Sequence, residues 1–218
     1  MIKLVSLNIE GDRHLFRVKE FLQREKPGVV CLQEVFAANF EMFKGELNLK
    51  GEFFPTVNVI SETRWAKNTR GLLGVGILIG KDFDSEFGEI YYQGEGEKVR
   101  EYVWSKPNSG GNVLAWVNLS NKDGEDLKIA TTHFTWSPEG EATDRQRRDI
   151  KRLLKSLDDL GEFVVCGDFN APRDGEIWNE LSQKYKDNIP LEVKTTIDPD
   201  LHRGGALQLV VDGLFSTL

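Results

Sequence analysis

Four short polar clusters stand at the ends of apolar, strand-like runs: Asn8-Ile9-Glu10, Gln33-Glu34, Thr132-His133 and Gly167-Asp168-Phe169-Asn170. A carboxylate, amide or imidazole just past a strand end rests on a rigid support and projects into a loop-built cleft. Such positions favour ligands over packing. Taken singly, each has a bland reading. Glu34 reads as a surface acid, Asp168 and Asn170 as an Asx-turn, Asn8 as a strand-end amide bonded to backbone, and His133 as a half-buried histidine. Taken together they form an oxygen-rich donor set suited to a hard cation such as Mg²⁺, which takes one or two carboxylates and keeps several waters. No serine elbow and no reactive-cysteine signature accompanies them. The chemistry this set supports is metal-assisted attack by water, with a carboxylate to orient or deprotonate it.

The elements that must position these residues follow from periodicity. Residues 2–9 alternate and read as a strand. Leu15, Val18 and Leu22 share a helical face within 13–26, and Pro27 ends that helix. Residues 28–32 are a continuous apolar run, hence a buried strand. Phe40, Phe43 and Leu47 have helical spacing. Strands are expected at 53–60, 72–79, 113–120 and 127–134, the last pair joined by an Asp-Gly-containing hairpin connection at 121–126. A short strand is expected around Tyr102–Trp104. Helices are expected at 143–158 and 174–184, and strands at 162–166 and 207–215. This order fits an α/β or α+β fold of hairpin-connected sheets covered by helices, as one domain spanning 1–218.

Composition narrows the field. The chain has 218 residues and a formal net charge of -7, so it lacks the bulk basic footprint of a nucleic-acid binder. Cys31 and Cys166 lie in short apolar runs and read as buried free thiols of a reducing compartment. No secretion signal is visible, no run reaches the length of a membrane span, and a cytoplasmic monomer is the expectation. Arg145, Arg148, Arg152 and Lys155 share one helix face, which reads first as a solvated face. Arg145, nearest the His133 loop, is the candidate among them for substrate contact. The loop 61–71, with Arg64, Trp65, Lys67 and Arg70, is a second candidate, with Arg70 named for the substrate.

Five segments in order resemble the motifs of the endonuclease/exonuclease/phosphatase family. They are Ser6-Leu7-Asn8-Ile9-Glu10-Gly11, Cys31-Leu32-Gln33-Glu34, Thr131-Thr132-His133-Phe134, Gly167-Asp168-Phe169-Asn170 and Val211-Asp212-Gly213-Leu214-Phe215-Ser216. The resemblance covers nearly the whole chain. It implies a deoxyribonuclease I-like fold, a four-layer sandwich of two mixed β-sheets flanked by helices. It also implies a Mg²⁺-dependent (or Mn²⁺-dependent) hydrolase of a phosphomonoester or phosphodiester. The substrate classes it spans include nucleic acid, inositol phosphates and phospholipid headgroups. By resemblance, Glu34 is the principal metal ligand, Asn8 lies near metal and phosphate, and Glu10 stands where some members carry an acid close to the metal. His133 contacts the phosphate, Asp168 positions or activates the water, and Asn170 hydrogen-bonds the phosphate. Asp212 matches the acid that orients a catalytic histidine. The family's Ser-Asp-His motif, carried on one more strand, is not present in this chain. The expectations are therefore a domain lacking its last strand or strands, and, as the rival to an enzyme, a family member that binds phosphorylated ligands without turnover.

Overall fold

The computed structural model describes residues 2–217 except 64, 65, 67, 94–98, 104, 107, 121–125 and 203–206. Its first half is a sheet of four strands built around β2. Strand β1 (Leu4–Asn8) leads through helix α1 (Leu15–Glu25) to β2 (Val29–Phe36), then to helix α2 (Ala37–Glu46), β3 (Leu49–Val59) and β4 (Gly71–Gly80). The order is β1-β2-β4-β3, with β1 parallel to β2 and the other pairs antiparallel. Helix α1 stops where Lys26 turns left-handed and its N–H bonds Leu22 O, with Pro27 next. Proline cannot continue the helix, and its ring disfavours helical backbone just before it.

The second half is a sheet of six strands. Its elements are β5 (Asp84–Gln93), β6 (Asn112–Ser120), β7 (Asp126–His133), helix α3 (Asp144–Asp158), β8 (Val164–Asp168), helix α4 (Glu176–Ser182), β9 (Lys186–Asp187) and β10 (Asp212–Ser216). They lie in the order β5-β6-β7-β8-β10-β9. Among the described residues the only parallel pair of this sheet is β7 with β8, joined by α3. Thr143 caps α3 by accepting from Gln146 N, satisfying one of the orphan donors of the first turn.

The two sheets make a four-layer sandwich. Val29, Cys31, Val75, Ile77, Val113, Ala115, Val117 and Cys166 fill the layer between the sheets. Leu22, Phe40 and Phe43 cover the outside of the first sheet, and Ile150, Leu153, Leu157, Trp178 and Leu181 cover the second. A buried polar clamp crosses the inter-sheet layer: Gln33, fully buried on β2, donates to Thr131 Oγ1 on β7 at 2.9 Å. Both cysteines are buried and free.

Most expected elements are found within a few residues of their expected bounds, two expectations are corrected, and one long strand was not expected. The short strand around Tyr102–Trp104 reduces to a bridge between Asn58 and Glu101, with Trp104 outside the described residues. The long strand β5, Asp84–Gln93, went unpredicted because its apolar residues divide between its two faces, Phe87 and Tyr91 packing on one core cluster and Ile90 and Tyr92 on another, with polar residues between them. The last strand spans Asp212–Ser216, not 207–215. Strands β6 and β7 do pair antiparallel, while their connection 121–125 lies outside the described residues.

Candidate active site

The strand ends converge. The β1–β2 pairing ends at Asn8 and Gln33, the β7–β8 pairing at His133 and Asp168, and Asp212 sits opposite Asp168 across β10 and β8. Glu34 reaches the site through a bulge: the β2–β4 register shifts between Leu32 and Val35, and Glu34 has φ 51°. A bulge re-aims a side chain out of the alternating ladder. Glu10 (φ 48°) and Asn170 (φ 48°) share this left-handed backbone, which costs free energy for a residue with a Cβ and clusters at working sites. Backbone bonds Ile9 N to Gln33 O and Gly11 N to Glu34 O staple the two loops together.

At the centre, Asn8 Nδ2 donates to Glu34 Oε1 at 3.3 Å and to Asp168 Oδ2 at 3.0 Å. His133 Nε2 lies 3.6 Å and 3.7 Å from the same two oxygens. One amide and one imidazole therefore bridge two carboxylates contributed by different sheets. Asn170 N donates to Asp168 Oδ1 at 2.8 Å, and Asn170 Nδ2 donates to Phe134 O at 2.9 Å. A primary amide carries two N–H donors, so one remains for a ligand. Asn8, Glu34, Asp168 and Asn170 border a cavity of about 650 Å³, also lined by Glu10, His14, Arg17, Trp136, Thr196 and Asp212.

Asp212 is the electrostatic outlier. Burial, with the Asp168 carboxylate as the next cause, pushes its carboxyl up to about 7, against a smaller opposing effect of the Thr196 hydroxyl. Its unfolded value is about 3.9. The folded state therefore holds this proton more tightly, and stability falls as pH rises from about 4 through 7. Asp212→Asn removes that dependence. In chelator, its melting temperature is expected to gain on the wild type steadily as pH is raised from 4 to 8. A constant offset across that range would contradict the shift.

The predicted site residues divide into those brought together and those placed elsewhere. Asn8, Glu34, His133, Asp168, Asn170 and Asp212 meet. Glu10 is on the cavity wall, but its carboxylate engages Arg13 at 2.8 Å, His14 at 3.6 Å and His202 at 3.9 Å. Arg145 and Arg70 are not on the wall. Arg145 donates to Asn108 O and faces Asp149, while Arg70 bonds the carbonyls of Ala66 and Thr69. Arg148, Arg152 and Lys155 form an exposed face. Arg64, Trp65 and Lys67 lie outside the described residues. Sequence reading missed Arg17, Trp136 and Thr196, and passed over His14 and His202 for lack of a motif. Trp136 is three residues past His133 and exposed, a signal that proximity to a motif makes readable. The others reach the cavity only through the tertiary fold.

Could this centre hold a metal? Among the described residues, no Lys or Arg pairs with Glu34, Asp168 or Asp212, all three of which line the cavity, and the His133 imidazole stands beside the first two. Such charge is costly without a cation. Among the described residues no group of three or more His, Cys, Asp or Glu side chains is placed to hold a metal ion by itself. The oxygen donors Glu34, Asp168 and Asn8 are of the type a hydrated hard ion takes, one or two carboxylates with the remaining places filled by water.

A four-layer sandwich with acid, amide and imidazole groups gathered at the strand ends defines a class, and the sequence places the chain within it. Residues 5–205 match the Endonuclease/Exonuclease/phosphatase family, and the chain belongs to that family. Nocturnin of Drosophila melanogaster is 28% identical over 170 residues, covering 76% of this chain. The chain spans 25% of that relative's length. Among solved structures, the human Nocturnin catalytic domain with bound sulfate anion superposes with a TM-score of 0.70 at 19% identity, covering 99% of this chain and 81% of that one. The mannosyl-6-phosphatase of Bacteroides thetaiotaomicron gives 0.71 at 14% identity, covering 99% and 85%. Among the described residues no helix is long and apolar enough to cross a membrane.

Proposed function

We propose that this chain is a single-domain, Mg²⁺-dependent hydrolase of a phosphomonoester or phosphodiester. The observation that carries the reading is the pair Glu34–Asp168, two carboxylates from two sheets sharing the Asn8 amide and the His133 imidazole with no Lys or Arg paired to either among the described residues. Membership of a family named for nucleases and phosphatases supports it, as does the sulfate, a phosphate-shaped anion, in the human Nocturnin domain.

Glu34, with Asn8 or Glu10 near it, is the residue that would hold the ion, which when bound neutralises charge on phosphoryl and leaving oxygens. The chain's own groups do the rest. Asp168 orients a water and takes its proton as the new O–P bond forms and the ester P–O bond breaks. Asn170, through its second N–H, and His133 hold phosphate oxygens. Asn8 keeps the two carboxylates in register. Arg17, which lines the cavity as Arg145 and Arg70 do not, is the cation offered to the phosphate.

The test is hydrolysis of bis-para-nitrophenyl phosphate with and without Mg²⁺. Activity is expected to vanish in chelator, and Glu34→Gln is expected to raise the Mg²⁺ needed for half-maximal rate by about 10-fold or more. Absence of metal-dependent turnover, with no change on Glu34→Ala or Asp168→Ala, would remove this reading. Asp212 favours one rival, since no imidazole pairs with it among the described residues. On that rival the chain binds phosphate with Mg²⁺ and turns nothing over. Calorimetric binding of inorganic phosphate without hydrolysis would select it.

A further inference from the structure

The segment that follows His133 has no regular structure and yet is held at every step. Four consecutive carbonyls each accept from an amide side chain. Asn112 Nδ2 bonds His133 O at 2.7 Å, Asn170 Nδ2 bonds Phe134 O at 2.9 Å, Gln146 Nε2 bonds Thr135 O at 2.8 Å, and Asn108 Nδ2 bonds Trp136 O at 2.9 Å. Asn108 also accepts from Trp136 N at 2.9 Å, gripping that residue's backbone from both sides. Asn108 itself has φ 60° and is held through its carbonyl by Arg145. Thr135 is tied through its hydroxyl to Asp149 at 2.7 Å.

All this support ends in a side chain that the fold does not bury. Trp136 is 40% exposed, and it lines the same cavity as Glu34, Asp168 and Asn170. Its neighbour Ser137 also lines the cavity, is 3% exposed, and its hydroxyl has no hydrogen-bond partner among the described residues. A rigidly mounted, partly exposed indole beside an unpartnered buried hydroxyl is a surface built for a ligand. Stacking energy is lost if the platform must be ordered on binding, and here the ordering is already done. An indole face takes a planar ring in offset stacking.

We propose that Trp136 is a stacking platform for an aromatic ring on the organic side of the phosphate ester, with Ser137 Oγ offering it a hydrogen bond. This rests on the phosphoesterase reading above and narrows its substrates to esters that carry a planar ring, such as nucleoside phosphates. Trp136 acts on specificity, because it touches the ring and not the phosphorus. Asn108 is a positioning residue that acts through it.

The experiment compares adenosine monophosphate with glycerol phosphate on the full chain with Mg²⁺. The ratio of their kcat/KM values is expected to favour the nucleotide, to fall about 10-fold in Trp136→Ala and to be largely kept in Trp136→Phe. An unchanged ratio in Trp136→Ala would overturn the proposal. If the wild type hydrolyses neither ester, the hydrolase reading is still decided by the diester assay above, and the platform is read by intrinsic fluorescence. A saturable quench by adenosine monophosphate in the wild type that Trp136→Phe lacks would uphold the stack. Identical titrations in the two proteins would end it.

Discussion

Asp168→Asn is expected to lower phosphoester turnover by about 10²–10⁴-fold, the usual loss when a positioned proton acceptor is removed. The substitution keeps size and shape, so the effect is chemical. An amide cannot take the water's proton. It also cannot satisfy both present donors. Asn170 N points at Oδ1 and Asn8 Nδ2 at Oδ2, and an asparagine has one oxygen for the two of them. One of those bonds must break whichever way the amide turns. The accompanying change in stability should be small, since the lost hydrogen bond, worth about 1 kcal/mol, is offset by relief of repulsion with Glu34 and Asp212. Rate and urea midpoint measured on the same preparation separate the two effects. A large fall in midpoint with a proportionate fall in rate would mean that Asp168 holds the site together and does not act in it.

Gly167→Ala is expected to destabilise the fold by about 3–5 kcal/mol, in the range reserved for named structural failures. Gly167 has φ +147°, and a Cβ there would sit 2.1 Å from Thr132 O. That oxygen is backbone in the neighbouring strand, paired in register with Gly167 itself, so it cannot step aside without moving β7. Moving β7 would separate His133 from Asp168, and activity should fall with stability. Gly161→Ala is the control. Its φ is +78°, with nothing within 4 Å of the added Cβ, so only the conformational cost of about 1 kcal/mol applies. Urea denaturation of both variants decides the matter. Equal losses would show that backbone conformation, and not the contact with Thr132, makes glycine necessary at 167.

The site was legible from its strand-end chemistry. Asn8, Glu34, His133, Asp168 and Asn170 could be picked out because polar residues capping apolar runs are unusual, and because five such segments occur in a recognisable order. The cationic residues were not legible. Arg145 stands close in sequence to the His133 loop and was the natural candidate, yet α3 carries its guanidinium to Asn108 and Asp149. Arg17, in an ordinary amphipathic helix, reaches the cavity instead. Local periodicity says which face of a helix is polar, and it does not say what lies opposite that face. Gln33 illustrates the converse. Its place beside Glu34 marks it as part of a site cluster, and the structure uses it to clamp the two sheets through Thr131.

Sequence alone thus determined most of the elements, though not β5, together with the family and the set of residues at the strand ends, because apolar periodicity and short motifs are local properties. Tertiary structure alone decided three things. It set the bulge that swings Glu34 into the centre, the pairing that puts Asp212 against Asp168 and drives its carboxyl toward neutrality, and the amide ladder that presents Trp136. Each depends on groups distant in the chain meeting at hydrogen-bond range. Distances of that kind follow from how sheets stack, and no local pattern encodes them.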